Sequence, residues 1–431
     1  MKKAEEVFEL DKKYYQQGYT RVPLVIVEGK GAILKDIQGN EYIDCFAGIA
    51  TANAGHAPDA LIQAGCEQMK KLFHVSGRYF TIPQTLLAQK LAEVTPGDLR
   101  KTFLCNSGTE AVENGIKLSK KYASSQGKTG GALIGLECAF HGRLGFSFSL
   151  TANASYKKGF GAYSIAPGVK HAPTPYTYRS AFSEDECGTE TANRLEEVID
   201  RHTAGDVSAF IMEPILGEGG IIVPPDSYFS TIVKILKERE IPLFLDEVQT
   251  GFGRTGKLFA SEHWGLEPDI MSLAKGMGGG IPIGACVTTD EIASHLESGD
   301  FFSTFGGNPV TSAIALENIK YIRNEGLIDN AAKVGAFIMK RLREIQERRS
   351  IIGDVRGKGL MIGVELVKDR KTKKPAKQEA KELVANLQKK GIIVGLGGIF
   401  KNVLRIQPPL VISEDQATEV VQKMSEELGK I

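Results

Sequence analysis

Leu243-Phe244-Leu245-Asp246-Glu247-Val248-Gln249-Thr250-Gly251-Phe252-Gly253-Arg254-Thr255-Gly256 is the stretch on which the fold class turns. Three apolar residues run straight into an acid, the pattern of a strand over 242–245 buried on both faces and delivering Asp246 to its end. Open α/β sheets bind ligands in the crevice beyond the carboxyl ends of their strands, so Asp246 is expected to aim a carboxylate into such a crevice. Outward from this strand, apolar runs at 102–105, 132–136, 207–212, 270–273 and 284–287 alternate with helical patterns. One helix is expected from Thr109, with Val112, Ile116 and Ala123 near one face. Another follows Asp226, with Tyr228, Ile232 and Leu236 four apart. Both are expected to start behind capping residues. The alternation predicts an α/β chain whose large domain, residues 59–315, holds a mainly parallel sheet between helices.

The two chain ends read differently. Runs at 24–27, 32–34 and 42–46 around the turn Gln38-Gly39-Asn40 predict a small meander within residues 1–58. Beyond about residue 316 come two long helical segments, a strand at 360–366, a helix near 376–390 and a strand at 404–406. In the last helix Ser413 and Gln416 have capping-box spacing, and Ala417, Val420, Val421, Met424 and Leu428 trace an apolar stripe. Residues 1–58 and 316–431 are therefore expected to combine into a smaller α+β domain. The lysine-rich stretch 368–377 is expected as an exposed loop.

Composition removes several classes of function. The 431 residues carry 53 Lys and Arg against 52 Asp and Glu, a formal charge of +1, so no global field favours nucleic acid. No apolar run approaches the ~20 residues that cross a bilayer, and no membrane partner is expected. Residues 1–15 alternate charge with single apolar residues, unlike the continuous apolar core of a secretory signal. Six cysteines, at 45, 66, 105, 138, 187 and 286, form no close pairs. A disulfide framework or thiolate metal site has no support, and a reduced, cytoplasmic setting is the default.

Glycine, at 48 residues, is the outlier. Gly251-Phe252-Gly253-Arg254-Thr255-Gly256 matches GxGxxG behind a strand, yet five residues intervene after Leu245 and no helix start follows, which argues against a dinucleotide turn. The apolar strand ending in Asp246-Glu247 resembles an ATPase metal site, which requires a P-loop elsewhere. The nearest candidate, Gly127-Lys128-Thr129, has Tyr122 where the first glycine should stand and follows a helix. Gly276-Met277-Gly278-Gly279-Gly280, directly behind Lys275, would leave space for a bound molecule beside that lysine.

Lys275 stands at the mouth of an apolar strand with no charge near it in sequence beyond Asp269. Partial desolvation there lowers an amine's pKa and makes it a nucleophile able to form an imine with an aldehyde. Asp246 supplies the anion that keeps a pyridine nitrogen protonated, as a ring used for electron withdrawal requires. Asn106-Ser107-Gly108-Thr109-Glu110-Ala111 lies at a strand-to-helix junction, where N–H groups, hydroxyls and the helix dipole suit a phosphate. Lysine, acid and cradle together suggest pyridoxal 5′-phosphate.

These segments, with Phe140-His141-Gly142-Arg143, Glu213-Pro214, Gly217-Glu218-Gly219-Gly220, Ala274-Lys275-Gly276 and Thr304-Phe305-Gly306-Gly307-Asn308-Pro309, occur in the order found in class III aminotransferases. The chain resembles the 4-aminobutyrate and other ω-amino-acid aminotransferases of pyridoxal phosphate fold type I, over nearly its whole length. The resemblance implies that Lys275 bonds the cofactor aldehyde and shuttles a proton, while Asp246 pairs with the pyridine nitrogen and Gln249 with the ring hydroxyl. It implies ring contacts from Phe140 and Val248 and a phosphate site of Ser107, Gly108 and Thr109, joined by Thr304 of a neighbouring subunit. Glu213 falls within the same cofactor-binding set, and His141 is expected to be structural. Arg405 would take an α-carboxylate, Glu218 would pair with it otherwise, and Arg143 would hold a distal carboxylate. A homodimer with a shared site follows, with a tetramer as an alternative.

The activity so implied moves an amino group from an ω-amino acid or primary amine to a 2-oxo acid such as pyruvate, glyoxylate or 2-oxoglutarate, in a ping-pong cycle. An amino acid racemase or epimerase of the same fold is the rival reading. It needs a second acid on the far face of the imine, which the sequence does not identify.

Overall fold

The computed structural model describes residues 3–128 and 131–431; Met1, Lys2 and Thr129 of the stretches above lie outside them. Strands β1 (Ile26–Lys30), β2 (Ile33–Asp36) and β3 (Glu41–Cys45) open the chain. A central series follows: β4 (Leu99–Cys105), β5 (Ala132–Leu136), β6 (Val169–Ala172), β7 (Val207–Met212), β8 (Leu243–Asp246), β9 (Ile270–Leu273) and β10 (Gly284–Thr289). The last are β11 (Ile352–Lys358), β12 (Met361–Asp369), β13 (Lys374–Pro375), β14 (Ile392–Gly397) and β15 (Val403–Ile406). The central series forms one sheet in the order β4-β10-β9-β8-β7-β5-β6. Only β10 runs against its neighbours.

Both faces of this sheet are apolar, as a parallel sheet under helices demands. Ile134, Leu136, Phe210, Met212, Leu243 and Leu245 pack with Leu195, Ile199, Ile232 and Leu236 from helices Glu184–His202 and Asp226–Glu238. The alternate residues Leu133, Ala209, Ile211 and Phe244 pack on the other side with Val112 and Ile116 of helix Gly108–Ser125. By this two-residue alternation Asp246 projects toward the face that carries helix Gly108–Ser125.

The second sheet runs β1-β2-β3-β14-β15-β12-β11, with β13 against β12, and so joins both ends of the chain. Strands β1 to β3 make the expected meander, although its first strand begins at Ile26 rather than residue 24. Four strands are not foreseen from the sequence, among them the two-residue β13 within the stretch expected as a loop. β6 is a short edge strand, Val169-Lys170-His171-Ala172, with half its residues polar. β11 carries two glycines and three charges in seven residues, and β14 is broken by glycine. The first long C-terminal helix starts at Pro309, not 316, because the Asn308 side chain caps the Val310 N–H and proline suits the first turn. Helix Asp226–Glu238 starts on Asp226 itself behind Pro225, without a side-chain cap. The 368–377 stretch holds the end of β12, the short β13 and the first residue of helix Lys377–Lys389. Ser413 and Gln416 form the capping box expected of them. Among the described residues no helix is long and apolar enough to cross a membrane.

Helix Gly108–Ser125 reaches the sheet through Gly115, where an added Cβ would stand 2.3 Å from Phe244 Cζ and 3.2 Å from Ile270 Cγ2. Gly115→Ala gains about 1 kcal/mol of helix propensity but overpacks a fully buried ring, at a cost of about 1–3 kcal/mol. The variant is expected to melt below the parent in a thermal scan. An unchanged or higher midpoint would show that Phe244 can retreat.

Candidate active site

Beyond the carboxyl ends of the parallel strands lies a cavity of about 350 Å³, within the range of small-molecule sites. Ser107, Gly108, Thr109, Phe140, Glu213, Asp246, Val248, Gln249 and Lys275, all expected from the sequence, line it together. So do His141 and Asn106, which the sequence reading left without a role in the chemistry. A larger hollow of about 710 Å³ opens where Val207, Leu243 and Asp269 begin or precede their strands. That is the opposite edge from the one where such sheets place their ligands.

Lys275 follows β9 directly and begins the short 3-10 turn Lys275–Met277. Its φ of 37° lies in the left-handed region that a lysine seldom adopts. Burial holds its amine below the ordinary lysine range, against the upward pull of Glu218, Asp246 and Glu213; the Arg405 charge assists the lowering. Among the described residues Nζ has no hydrogen-bond or ion-pair partner.

Asp246 is 4 % exposed. Its Oδ2 lies 2.8 Å from His141 Nδ1, and its Oδ1 accepts from the Val248 N–H at 3.1 Å. His141 is thus no mere filler. The imidazole orients the acid, while its own Nε2 is buried without a partner. Glu213 is buried beside them, with one oxygen accepting from Phe140 N–H at 2.9 Å and the other from Gly217 N–H at 2.8 Å. Its contribution is therefore to fix two backbone segments at the cavity wall. Burial pushes the Glu213 carboxyl up to about 7; the His141 charge opposes this and Asp246 adds to it.

At the cradle, Ser107 caps helix Gly108–Ser125 by accepting from Glu110 N–H at 3.2 Å. The Glu110 carboxylate turns back to accept from Asn106 N–H at 2.5 Å. The N–H groups of Gly108 and Thr109 find no acceptor among the described residues, as at any helix start. Gln249 accepts from Gln407 Nε2 at 3.0 Å and so keeps its own amide N–H groups free. Gln407 lies two residues beyond Arg405, and nothing in the sequence ties it to Gln249.

The expected substrate-side residues Arg143, Glu218 and Arg405 do not line this cavity themselves; the charges of Glu218 and Arg405 act on Lys275, and Arg143 lies 5.8 Å from the ring of Phe140 in its wall. Arg405, on β15, is 4 % exposed, and its Nη1 meets Glu218 Oε1 at 2.5 Å. Burial disfavours the Glu218 anion, yet Arg405 and then Lys275 keep its pKa below the usual carboxylate range. Arg143 is exposed, stacks over the Tyr156 ring at 3.9 Å, and has no ion pair among the described residues. Tyr156 also reaches Glu218 through its hydroxyl at 3.4 Å and stands edge-on to Phe140. Its place was not legible from the sequence, since no motif contains it. Thr304 is exposed and lies apart from its own chain's cavity.

A lone amine, a carboxylate with an open lone pair, a free amide donor and bare helix N–H groups converge in one cavity. In kind they match the aldehyde, protonated pyridine nitrogen, ring oxygen and phosphate of pyridoxal 5′-phosphate, so the donor set fits that group. A test of the electrostatics needs no ligand. Because the folded pKa of Glu213 lies above its ordinary 4.5, its contribution to stability is present below that value and is lost as pH rises through about 7. Between pH 5 and 8.5 the cofactor-free parent should lose on the order of 3 kcal/mol relative to Glu213→Gln. Urea unfolding at several pH values reads the difference, and a flat difference would remove the raised pKa.

The family profile described as Aminotransferase class-III matches residues 14–428. An acetylornithine aminotransferase of Methanothermobacter thermautotrophicus is 39% identical over 418 residues, 97% of this chain and 97% of that protein. A leucine/methionine racemase of Thermococcus litoralis is 37% identical over 435 residues, covering 100% of this chain and 96% of that one. The crystal structure of a thermostable (S)-enantioselective omega-transaminase from Thermomicrobium roseum superposes with a TM-score of 0.94 at 34% identity, over 99% of this chain and 98% of that chain. With the profile spanning almost the whole sequence around a cavity of this composition, the chain belongs to the class-III aminotransferases, fold type I enzymes that depend on pyridoxal 5′-phosphate.

Proposed function

We propose that this aminotransferase takes its amino group from an ω-amino acid or primary amine and passes it to a 2-oxo acid, in two half-reactions at the cavity of Lys275. The observation that carries this reading is the unpartnered Lys275 amine in one cavity with the Asp246 carboxylate. When bound, the cofactor supplies an electrophilic aldehyde carbon and a ring that withdraws electrons from the donor's C–H bond.

The chain's own groups do the rest. Asp246, steadied by His141 and the Val248 N–H, would hold the proton of the ring nitrogen. Ser107, Gly108 and Thr109 would take the phosphate at the positive end of their helix. Phe140 and Val248 would pack against the ring and Gln249 would donate to its oxygen, while Glu213 fixes the backbone on which Phe140 rides. Lys275 Nζ, its pKa lowered by burial, would bond the aldehyde carbon and would carry the donor's proton. Arg405 receives the α-carboxylate of the oxo acid once Glu218 leaves it, and Glu218 neutralises it when the donor has no carboxylate there. Arg143, stacked on Tyr156 and otherwise unpaired, meets a distal carboxylate.

Thr304 completes the phosphate site of a second copy in this reading. Support comes from exposed apolar side chains close to it in sequence or in the cavity wall: Phe302, Phe305 and Ile281, together with Tyr79, Phe80 and Ile82. Such a concentration marks an association surface, here of a homodimer, with a tetramer as the larger alternative. The sheet that joins both chain ends supports the division into residues 59–315 and a second domain of 1–58 with 316–431. The free cysteines support a reducing, cytoplasmic setting.

The racemase relative favours one second reading, in which the proton returns to the α-carbon from the other face. Supplying one amino acid enantiomer without any oxo acid separates the two: appearance of the mirror image favours racemisation. For the main reading, a panel of ω-amino acids and primary amines against pyruvate, glyoxylate and 2-oxoglutarate should yield the matching α-amino acid, and no product with any pair would refute it. Lys275→Ala should still bind the cofactor noncovalently, seen by absorbance, while turnover falls by about 10²-fold or more. Turnover within tenfold of the parent would remove the lysine from its role.

A further inference from the structure

The small sheet presents one row of residues to the cavity loop. Arg356 of β11 pairs with Gly363 of β12, which pairs in turn with Arg405 of β15. Directly opposed residues on neighbouring strands project from the same face, so two arginines flank a residue without a side chain. The row two residues along, Asp354, Glu365 and Val403, projects from that face too. The intervening row, Val355, Val364 and Leu404, faces the apolar core.

The segment 217–221 lies in the gap above Gly363. Arg356 grips its main chain: Nε donates to Gly220 O at 3.1 Å and Ile221 O at 3.0 Å, and Nη2 donates to Gly220 O at 2.6 Å. Arg405 meets the same segment through the Glu218 side chain, and Gly398 N–H donates to Glu218 O at 3.2 Å. A Cβ on Gly363 would stand 3.0 Å from Ile221 Cβ and 3.1 Å from Gly220 O. Arg356 is itself locked. Its Nη1 donates to Asp354 at 2.7 Å and to the fully buried Glu365 at 2.9 Å, and Nη2 donates to the Tyr176 hydroxyl at 2.9 Å. Tyr176 and Arg179 both donate to Glu365 in turn.

We infer that Arg356 is a positioning residue for substrate selection: it pins the 217–221 backbone so that only the Glu218 side chain moves when Arg405 changes partner. The inference rests on the exchange between Glu218 and a substrate carboxylate proposed above, and extends it to a residue that touches neither substrate nor cofactor. Two carboxylates neutralise Arg356 and three main-chain contacts commit it, whereas Arg405 has one carboxylate that a ligand can replace. Loosening the segment should therefore weaken the internal competitor for Arg405.

Arg356→Gln and, with every charge kept, Gly363→Ala test this in the holoenzyme beside Glu218→Gln. Each of the first two should lower KM for a 2-oxo acid acceptor and raise KM for a carboxylate-free amine donor, by about three- to tenfold each, with kcat changed less. Glutarate, which has carboxylates but no amine, should bind more tightly by a similar factor in calorimetry. Neither change should add to the split already present in Glu218→Gln. If Glu218→Gln shows the opposed KM shifts while both other variants only reduce kcat alike for all substrates, Arg356 is structural and the inference falls. If Glu218→Gln shows no split, the exchange itself fails, and the inference with it. If Arg356→Gln does not fold, Gly363→Ala alone decides between these results.

Discussion

A carboxylate withdrawn from water at the end of a buried strand must be given partners, and the arrangement of Asp246 governs the rest of the cavity. Its two oxygens are taken by His141 Nδ1 and the Val248 N–H. A buried ion that loses such partners is strongly destabilising, so the strand end, the turn after it and the loop bearing His141 are bound to one geometry. Glu213, beside them, spends both oxygens on main-chain N–H groups. Both acids thus have protein partners, whereas among the described residues the Lys275 amine has none.

That asymmetry suits the nucleophilic role proposed for Lys275. A firm salt bridge would keep the amine charged and engaged; burial near carboxylates that are already committed lowers its pKa while leaving it free. The left-handed backbone at Lys275 shows that the turn after β9 accepts local strain to put the side chain there. Arg254 secures the surroundings. It is fully buried and donates to Asn53 Oδ1, Leu360 O and Pro408 O, so one side chain ties together segments from the start, middle and end of the chain. The glycine-rich run that imitates a dinucleotide turn thus carries a structural clasp.

On the substrate side the logic is reversed. Arg405 has a single carboxylate partner, Glu218, from a glycine-rich segment. Arg356, in the same row of the sheet, is satisfied several times over. Two identical side chains on one face therefore differ in how many fixed acceptors each one meets.

The sequence alone was enough for the alternating apolar strands of the large sheet, for Asp246 and Lys275 at strand ends, and for the strand-to-helix junction at Ser107 to Thr109, because each is encoded within a dozen consecutive residues. Periodicity, caps and glycine turns are local, so they can be read locally. The short or glycine-broken strands β6, β11 and β14 had no such signal; they are strands because neighbours from elsewhere in the chain hydrogen-bond to them. The same holds for His141 against Asp246, Gln407 against Gln249, Tyr156 beneath Arg143, and the row Arg356, Gly363 and Arg405. Each pairs residues that are distant in sequence or separated by strand register, and only the folded chain brings their polar atoms within hydrogen-bond reach and strips away the water that would otherwise satisfy them.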